Sequence, residues 1–144
     1  MARILVVDDD QGMREFLEIM MTREGYRVVT ANDAGKALIR CRKEKFDLII
    51  TDLKMPKMDG IGFLKEVKSI SPETMVILIT AYASGETAVN AMKEGAYNYI
   101  EKDFVIDDLK RIVRNALSGK DVKRDDALFL EAVGDAVRFG NMIG

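Results

Sequence analysis

Asp47-Leu48-Ile49-Ile50-Thr51-Asp52 is a short apolar run that ends in a carboxylate, and a loop with turn residues follows at once as Leu53-Lys54-Met55-Pro56-Lys57-Met58-Asp59-Gly60. Apolar runs of this length between turn signals are typical of strands buried inside a sheet. In open α/β sheets, ligands bind beyond the carboxyl ends of such strands. Asp52 is therefore a candidate functional residue, although local hydrogen bonds alone could also account for an acid there.

The rest of the chain repeats this strand pattern in alternation with segments of helical periodicity. Strict alternation with short connections predicts a doubly wound α/β domain, with a parallel five-stranded sheet and helices on both faces. The first, third and fourth strands are apolar throughout, which places them centrally, whereas the second alternates as an edge strand does. The strands are predicted at residues 3–7, 26–31, 46–52, 75–80 and 97–100.

Capping residues indicate where the helices begin. Asn32 or Asp33 is suited to cap the second helix, Ser84 the fourth and Asp107 the fifth. The apolar stripe of the first helix is expected to comprise Met13, Phe16, Leu17 and Met20.

The alternation breaks at Ser118-Gly119-Lys120, so the domain is predicted to span residues 1–118. Residues 119–138 are predicted to form a linker helix, because apolar residues recur there at near-helical spacing: Ala127, Leu130, Val133 and Val137. An isolated helix of that length is marginally stable in water, so its stripe needs a partner. Folding back on the same domain and pairing with a second copy fit the pattern equally well.

Composition excludes several classes of function. The chain has 144 residues and a net charge of −2 with both signs interspersed, so broad electrostatic binding to nucleic acid is not expected. One cysteine excludes an intrachain disulfide and fits a reducing compartment such as the cytoplasm. The sequence contains no membrane-spanning apolar run. Because there is no histidine, any metal is expected to be a hard cation held by oxygen.

Polar side chains follow four of the predicted strands. Asp8 and Asp9 follow the first, Asp52 ends the third, Thr80 ends the fourth and Lys102 follows the fifth. The carboxyl ends of parallel strands share one edge of a sheet, so these groups should converge. Each has an ordinary alternative, such as helix capping for Asp8 or solvation for Lys102. Their coincidence at one edge favours a functional site.

Clustered carboxylates repel one another, and a divalent cation relieves that repulsion. Mg²⁺ prefers carboxylates, carbonyls, water and phosphate oxygens, so Asp8 or Asp9, Asp52 and a backbone carbonyl near Lys54 are its candidate ligands.

Such a site suits phosphoryl transfer. One Asp52 oxygen would remain free to attack a phosphoryl group, and the Thr80 hydroxyl and Lys102 ammonium would meet the transferred oxygens.

Residues 1–118 resemble the receiver domains of bacterial response regulators in order and spacing. Four segments carry the resemblance: Val6-Val7-Asp8-Asp9-Asp10, Ile50-Thr51-Asp52-Leu53-Lys54-Met55-Pro56-Lys57-Met58-Asp59-Gly60, Ile79-Thr80-Ala81 and Tyr99-Ile100-Glu101-Lys102. The resemblance implies a flavodoxin-like sheet with strand order 2-1-3-4-5.

The same resemblance implies roles for the residues of the site. Asp52 would accept a phosphoryl group from a sensor histidine kinase with Mg²⁺, Asp8 and Asp9 would serve the metal, and Thr80 and Lys102 would contact the phosphoryl group. A receiver would act as a phosphoacceptor that can also phosphorylate itself from small donors and dephosphorylate itself, not as an enzyme with external substrates.

The resemblance further implies a switch and an output. Tyr99 would be an aromatic residue that turns inward when Thr80 moves, altering the surface of the fourth helix, fifth strand and fifth helix and with it a homodimer. The tail, especially residues 138–144, is similar to the start of the AAA+ domain in nitrogen-regulation-type activators of sigma-54 polymerase. Residues 139–144 are therefore expected to begin a truncated AAA+ domain, which would follow the linker.

One position departs from the family pattern, because Asp103 stands where a proline usually follows the lysine. A cis bond before a non-proline residue costs about 3–4 kcal/mol, so we predict a trans 102–103 peptide. Asp103 could also pair with Lys102. Tyr82 and Lys54 flank the site and are expected to restrict attacking water.

Other classes of protein fit less well. A haloacid-dehalogenase-type phosphatase also uses a strand-end aspartate, but it needs a second acid two residues later, where this chain has Lys54. A nucleotide-binding module would need a glycine-rich phosphate loop after the first strand, which is absent from the sequence. A stand-alone receiver with protein-binding output remains an alternative.

Overall fold

The computed structural model describes residues 1–81 and 83–119. Five strands alternate with five helices along this part of the chain: β1 (Arg3–Val7), α1 (Gln11–Arg23), β2 (Arg27–Ala31), α2 (Ala34–Lys43), β3 (Leu48–Asp52), α3 (Gly60–Ile70), β4 (Met75–Thr80), α4 (Gly85–Lys93), β5 (Asn98–Glu101) and α5 (Ile106–Ser118). The predicted alternation is confirmed.

The strands form one parallel sheet in the order β2-β1-β3-β4-β5, as predicted. β2 lies at an edge, and the largely apolar, buried strands β1, β3 and β4 are the inner ones. The register pairs Val7 with Thr51 and Asp52 with Ile79, so the strands end together at one edge. That edge is where the predicted site residues follow their strands.

The two faces of the sheet carry separate apolar layers, because successive strand residues point to opposite faces. One layer packs against α2, α3 and α4, and the other packs against α1 and α5. Leu5, Ile49 and Leu78 belong to the first layer, whereas Ile4 and Ile50 belong to the second. Burying each such side chain contributes about 1.5–3 kcal/mol, and the two layers together hold the sheet edge in place.

Two expectations about the helices are wrong. Phe16 is 38% exposed, and α1 buries Met21 instead, because the helix turns its Leu17–Met21 side toward the sheet. Phe16 stacks on Phe104, with ring centroids 6.4 Å apart. Asp107 does not cap α5, since the helix starts at Ile106 with Val105, two residues before Asp107, at the cap position and without a side-chain cap. Asp107 lies in the first turn, where a negative charge favours the helix dipole.

The other capping expectations are confirmed with one refinement. The Asp33 carboxylate accepts a hydrogen bond from the Lys36 amide at 2.8 Å, and the Ser84 hydroxyl accepts one from the Thr87 amide at 3.1 Å. The cap of α1 is Asp10, whose Oδ1 accepts from the Gly12 amide at 2.9 Å. Asp8, considered above as a possible cap, is therefore free for another role.

The chain leaves α5 through Gly119, whose φ of 79° lies in the left-handed region that favours glycine. The predicted linker helix beyond Gly119 and the predicted start of an AAA+ domain lie outside the described residues, and they stay predictions. Among the helices of residues 1–81 and 83–119, none is both long and apolar enough to cross a membrane.

Candidate phosphoacceptor site

The carboxyl edge of the sheet brings the predicted residues together. Asp8 directly follows β1, Asp52 is the last residue of β3 and Thr80 is the last residue of β4. Lys102 follows β5, and its amide donates a hydrogen bond to the Thr80 carbonyl oxygen at 2.9 Å. This backbone bond extends the β4–β5 pairing by one step and fixes where the lysine side chain starts.

The Lys102 ammonium lies between two carboxylates. Its Nζ is 3.2 Å from Asp8 Oδ2 and 3.3 Å from Asp52 Oδ2. Asp8 and Asp52 are 2% and 8% exposed, so these charges interact in a partly dehydrated environment where they are screened less than at the surface. Among the described residues, the ion pairs of Lys102 are with Asp8 and Asp52, so the suggested pairing of Lys102 with the exposed Asp103 does not form.

A third acid completes the cluster. Carboxylate oxygens of Asp8, Asp9 and Asp52 all lie within 4.8 Å of one another, with Asp9 exposed and the other two buried. Asp8 is oriented by its own loop, because its Oδ1 accepts a hydrogen bond from the Asp10 amide at 2.9 Å. These oxygens face one small volume from two neighbouring strands.

Burial raises the pKa of Asp8, and the nearby Asp52 charge raises it further. The Asp10 amide and Lys102 act in the opposite direction but do not cancel the increase. Burial lowers the pKa of Lys102, but the charges of Asp52 and Asp8 outweigh burial, so that its pKa lies above the usual value. The ammonium therefore stays charged and supplies part of the positive charge that the acids require.

The donor set fits a hard divalent cation. Three carboxylates within 4.8 Å offer oxygen ligands only, and one of them is open to solvent. Mg²⁺ keeps several waters and binds one or two carboxylates in such sites, so an exposed acid beside two buried ones suits it. Lys54, predicted to contribute its carbonyl, is exposed in the β3–α3 connection.

The sequence did not indicate why a glycine is needed at position 60. Its amide donates a hydrogen bond to the Leu53 carbonyl oxygen at 2.6 Å, which folds the loop back onto the end of β3. A Cβ at this position would lie 2.6 Å from the Asp52 carbonyl oxygen and 2.8 Å from Leu53 Cα. Only glycine allows this approach. The Asp59-Gly60 turn signal marked a turn in the sequence, but not this contact.

Arg14 is a second residue that sequence reasoning missed. From α1, its Nη1 donates a hydrogen bond to the Asp8 carbonyl oxygen at 2.8 Å. The guanidinium thus holds the β1–α1 connection, which carries the acids. No local pattern distinguished Arg14 from any other polar residue on a helix.

The two residues predicted to act as a switch lie on neighbouring strands. Thr80 and Tyr99 are both fully buried. Tyr99 pairs in register with Leu78, two residues before Thr80, so the two side chains share one face of the sheet. The Tyr99 ring already points inward, and its hydroxyl accepts a hydrogen bond from the Ser84 amide at 3.3 Å. Its movement stays a prediction.

Two further predictions concern the loops. All peptide bonds within residues 1–81 and 83–119 are trans, so the 102–103 bond is trans as predicted. Tyr82, predicted to restrict water with Lys54, lies outside the described residues. Its role stays a prediction.

Curated proteins similar to this chain are named as regulatory proteins. Transcriptional regulatory protein ZraR of Escherichia coli (strain K12) is 43% identical over 115 residues, which are 80% of this chain and 26% of ZraR. Regulatory protein AtoC of the same strain is 37% identical over 141 residues, which are 98% of this chain and 31% of AtoC. The chain spans about a quarter to a third of the length of these relatives.

A solved structure and a family comparison agree with the fold. The beryllofluoride-activated NtrC4 receiver domain dimer superimposes with a TM-score of 0.79 at 35% identity, covering 83% of this chain and 98% of that one. The response regulator receiver domain family matches residues 4–114. This range includes the acidic cluster of Asp8, Asp9 and Asp52, and also Lys102 and Tyr99. This chain therefore belongs to the response regulator receiver domain family.

Proposed function

We propose that Asp52 accepts a phosphoryl group from a sensor histidine kinase and that the domain converts this event into a change of its output surface. The observation that carries the proposal is the position of Lys102 Nζ, 3.2 Å from Asp8 and 3.3 Å from Asp52, beside three clustered acids. A lysine pairing two buried carboxylates at a sheet edge places positive charge where the oxygens of an incoming phosphoryl group would lie.

In the proposed reaction, one carboxylate oxygen of Asp52 attacks phosphorus as the bond between phosphorus and the donor's leaving atom breaks. The electron pair of that bond leaves with the donor, and Asp52 becomes an acyl phosphate. Lys102 then pairs with a phosphoryl oxygen, and the Thr80 hydroxyl donates to another. Positioning and charge stabilisation of this kind make up most of what phosphoryl transfer requires.

Asp8, Asp9, Asp52 and the Lys54 carbonyl are the groups that would hold Mg²⁺. When bound, Mg²⁺ supplies positive charge that offsets the repulsion between the acids and the phosphoryl oxygens. The raised pKa of Asp8 supports this assignment, since it reflects a carboxylate whose negative charge lacks full compensation from protein groups.

The switch would use Thr80 and Tyr99. As Thr80 moves to the phosphoryl group, it leaves the space beside Tyr99, whose hydroxyl is tied to the start of α4 through the Ser84 amide. Two states of this contact would give two arrangements of the α4-β5-α5 surface, and phosphorylation would favour one of them. The homodimer, through that surface or the predicted linker helix, would respond.

The chain would act as the receiver and linker of a longer cytoplasmic regulator of transcription. The match to AtoC covers 98% of this chain, so it includes residues beyond α5. Together with the similarity of residues 138–144 to the start of an AAA+ domain, this supports control of a sigma-54-dependent activator. Receiver and linker would contact the kinase, the second copy and the AAA+ domain but neither nucleic acid nor membrane, and they would turn over no external substrate.

Incubation with acetyl phosphate and Mg²⁺, followed by intact-mass measurement, tests the phosphoacceptor. Wild type should gain one phosphoryl group, and both Asp52→Asn and the addition of EDTA should abolish the gain. Asp107→Asn, which removes an exposed acid in the first turn of α5 that does not belong to the acidic cluster, serves as the matched control and should react like wild type. Phosphorylation of Asp52→Asn to the wild-type extent would refute the assignment.

A further inference from the structure

A cavity lined by basic side chains lies at the β2 edge of the sheet. A cavity of about 460 Å³ opens between α1 and α2 beside the end of edge strand β2. Three cations line it, Arg14 from α1 and Lys36 and Arg40 from α2, and no carboxylate belongs to its lining. The chain as a whole carries a net charge of −2, so this concentration of positive charge is local.

The positive charges of Lys36 and Arg40, both on α2, repel each other unless an anion lies between them. Lys36 and Arg40 stand four residues apart on one helix, where like charges are destabilising by a few tenths of a kcal/mol. Within residues 1–81 and 83–119, no hydrogen bond or ion pair engages the Lys36 ammonium. Arg40 pairs with Glu44 at 3.1 Å, but its side chain is 46% exposed, and pairs of this kind contribute little.

Arg14 is held in place from the other side of the cavity. Its Nη1 donates to the Asp8 carbonyl oxygen at 2.8 Å, which orients the guanidinium plane and leaves its other N–H groups available. A fixed guanidinium presents parallel donors that match phosphate oxygens better than a single ammonium does.

The remaining walls are suited to more than a bare anion. Thr30 and Asn32 add a hydroxyl and an amide, and the half-exposed Ile39 adds an apolar wall. A volume of about 460 Å³ falls within the usual range for small-molecule sites. We propose that the cavity formed by Arg14, Lys36 and Arg40 binds a small molecule through a phosphate group. The proposal does not depend on phosphorylation of Asp52.

Titrations of the full 144-residue chain, followed by amide NMR in EDTA at constant ionic strength, test this site. EDTA keeps divalent cations from recruiting phosphate to the acidic cluster. Inorganic phosphate, pyrophosphate and AMP are the probes, with chloride as the ionic-strength reference. We expect saturable shifts at the Thr30, Asn32 and Lys36 amides with at least one probe. A preference for AMP would identify an organic ester as the ligand, and equal binding would identify the phosphate group alone.

Charge-neutralising variants locate the binding. Lys36→Gln combined with Arg40→Gln should weaken binding by about tenfold, because two of the three cations are lost. Arg42→Gln combined with Lys43→Gln removes two exposed cations of the same helix outside the cavity and should bind like wild type. Melting temperatures measured by circular dichroism verify that both double variants fold.

Several outcomes would overturn the proposal. These are an absence of shifts with every phosphate probe, shifts that do not saturate, shifts confined to Asp52 and Lys102, or an equal loss of binding in the two double variants.

Discussion

The Tyr99 hydroxyl and the Thr87 hydroxyl form a hydrogen bond that ties β5 to the first turn of α4. The same Tyr99 oxygen accepts from the Ser84 amide at 3.3 Å, and Ser84 is the cap of α4. The buried ring therefore fixes the start of a helix that belongs to the proposed output surface. A movement that carries the Tyr99 hydroxyl away from α4 would break both bonds together, as the proposed switch requires.

Tyr99→Phe keeps the buried ring but removes both hydrogen bonds. We expect it to lower the free energy of unfolding by about 1 kcal/mol, because the loss of buried hydrogen bonds typically costs that much. Amide hydrogen exchange should also become faster in the first turn of α4. Urea unfolding and exchange by NMR measure the two effects.

Tyr26→Phe is the matched control. Tyr26 is half-buried and its hydroxyl makes no hydrogen bond within residues 1–81 and 83–119, so its loss should change stability little. Equal exchange rates in α4 for wild type and Tyr99→Phe would show that the hydroxyl does not hold the helix start.

Gly60→Ala tests the close approach behind Asp52. The added methyl group would lie 2.6 Å from the Asp52 carbonyl oxygen and 2.8 Å from Leu53 Cα, so backbone must move. We expect a loss of about 1–3 kcal/mol in the free energy of unfolding, which is typical of overpacking. Urea denaturation measures it, and reduced phosphorylation of Asp52 should accompany it because the end of β3 is displaced.

The control for this prediction lies two residues further on. At Gly62 a Cβ would meet only side-chain atoms, at 3.3 Å and 3.4 Å, and alanine favours helix by about 1 kcal/mol over glycine. Gly62→Ala should therefore be neutral or stabilising. Equal stability of the two variants would contradict the contact at Gly60.

Much of this site could be predicted from local sequence. Apolar runs that end in Asp8, Asp52 and Thr80 indicate both the strands and their ends, and strict alternation makes those ends coincide. The period of a strand also separates the two faces, so the shared face of Thr80 and Tyr99 follows from their positions once the register is known.

Three features could not be predicted from local sequence, because they depend on contacts between elements that are distant along the chain. The exposure of Phe16 depends on how α1 rotates against the sheet, and periodicity defines that angle only to within one residue. The bond between Tyr99 and Thr87 joins residues from different elements, and the close approach of Gly60 depends on where β3 and β4 lie. Such contacts carry no signal in the spacing of one segment.

Asp8→Asn should stabilise the metal-free domain at neutral pH. Burial and Asp52 raise the pKa of Asp8, so the native state binds this proton more tightly than the unfolded chain does. Its contribution to stability is therefore greatest below the ordinary value of 3.8 and is lost as the pH rises through the raised pKa. Asp8→Asn has no carboxyl group to ionise at this position, so it does not lose this stability. The difference in free energy of unfolding in favour of the variant should therefore grow as the pH rises from 3.8 through the raised pKa of Asp8.

Urea unfolding in EDTA from about pH 3.5 to 7 measures this difference. Asp9→Asn removes an exposed acid of the same cluster and should not develop a comparable advantage. In saturating Mg²⁺ the sign should reverse for Asp8→Asn, since the variant loses a ligand. A wild type more stable than Asp8→Asn at neutral pH in EDTA would contradict the uncompensated charge of Asp8.

Lys102→Gln should slow phosphorylation of Asp52 by acetyl phosphate by about 10²–10³-fold, the usual cost of losing one donor that stabilises transition-state charge. Initial rates at saturating Mg²⁺ measure it. Lys110→Gln is the control, because its ammonium pairs with Glu24 at 3.5 Å, outside the acidic cluster. Equal initial rates for Lys102→Gln and wild type would remove the lysine from the proposed mechanism.

Thr80→Ala should leave the binding of beryllofluoride at Asp52 intact but abolish the response of the α4-β5-α5 surface. The domain should still bind beryllofluoride with Mg²⁺ at saturating concentration, because the acids and Lys102 remain. The amides of α4, β5 and α5 should then fail to shift as they do in wild type, since no hydroxyl moves away from Tyr99. Thr74→Ala removes another buried threonine, whose hydroxyl donates to the Phe46 carbonyl oxygen at 2.8 Å before β4 begins, and should respond normally. A full response of Thr80→Ala, by NMR and by light scattering of the dimer, would mean that the signal reaches α4 by a route that bypasses Thr80.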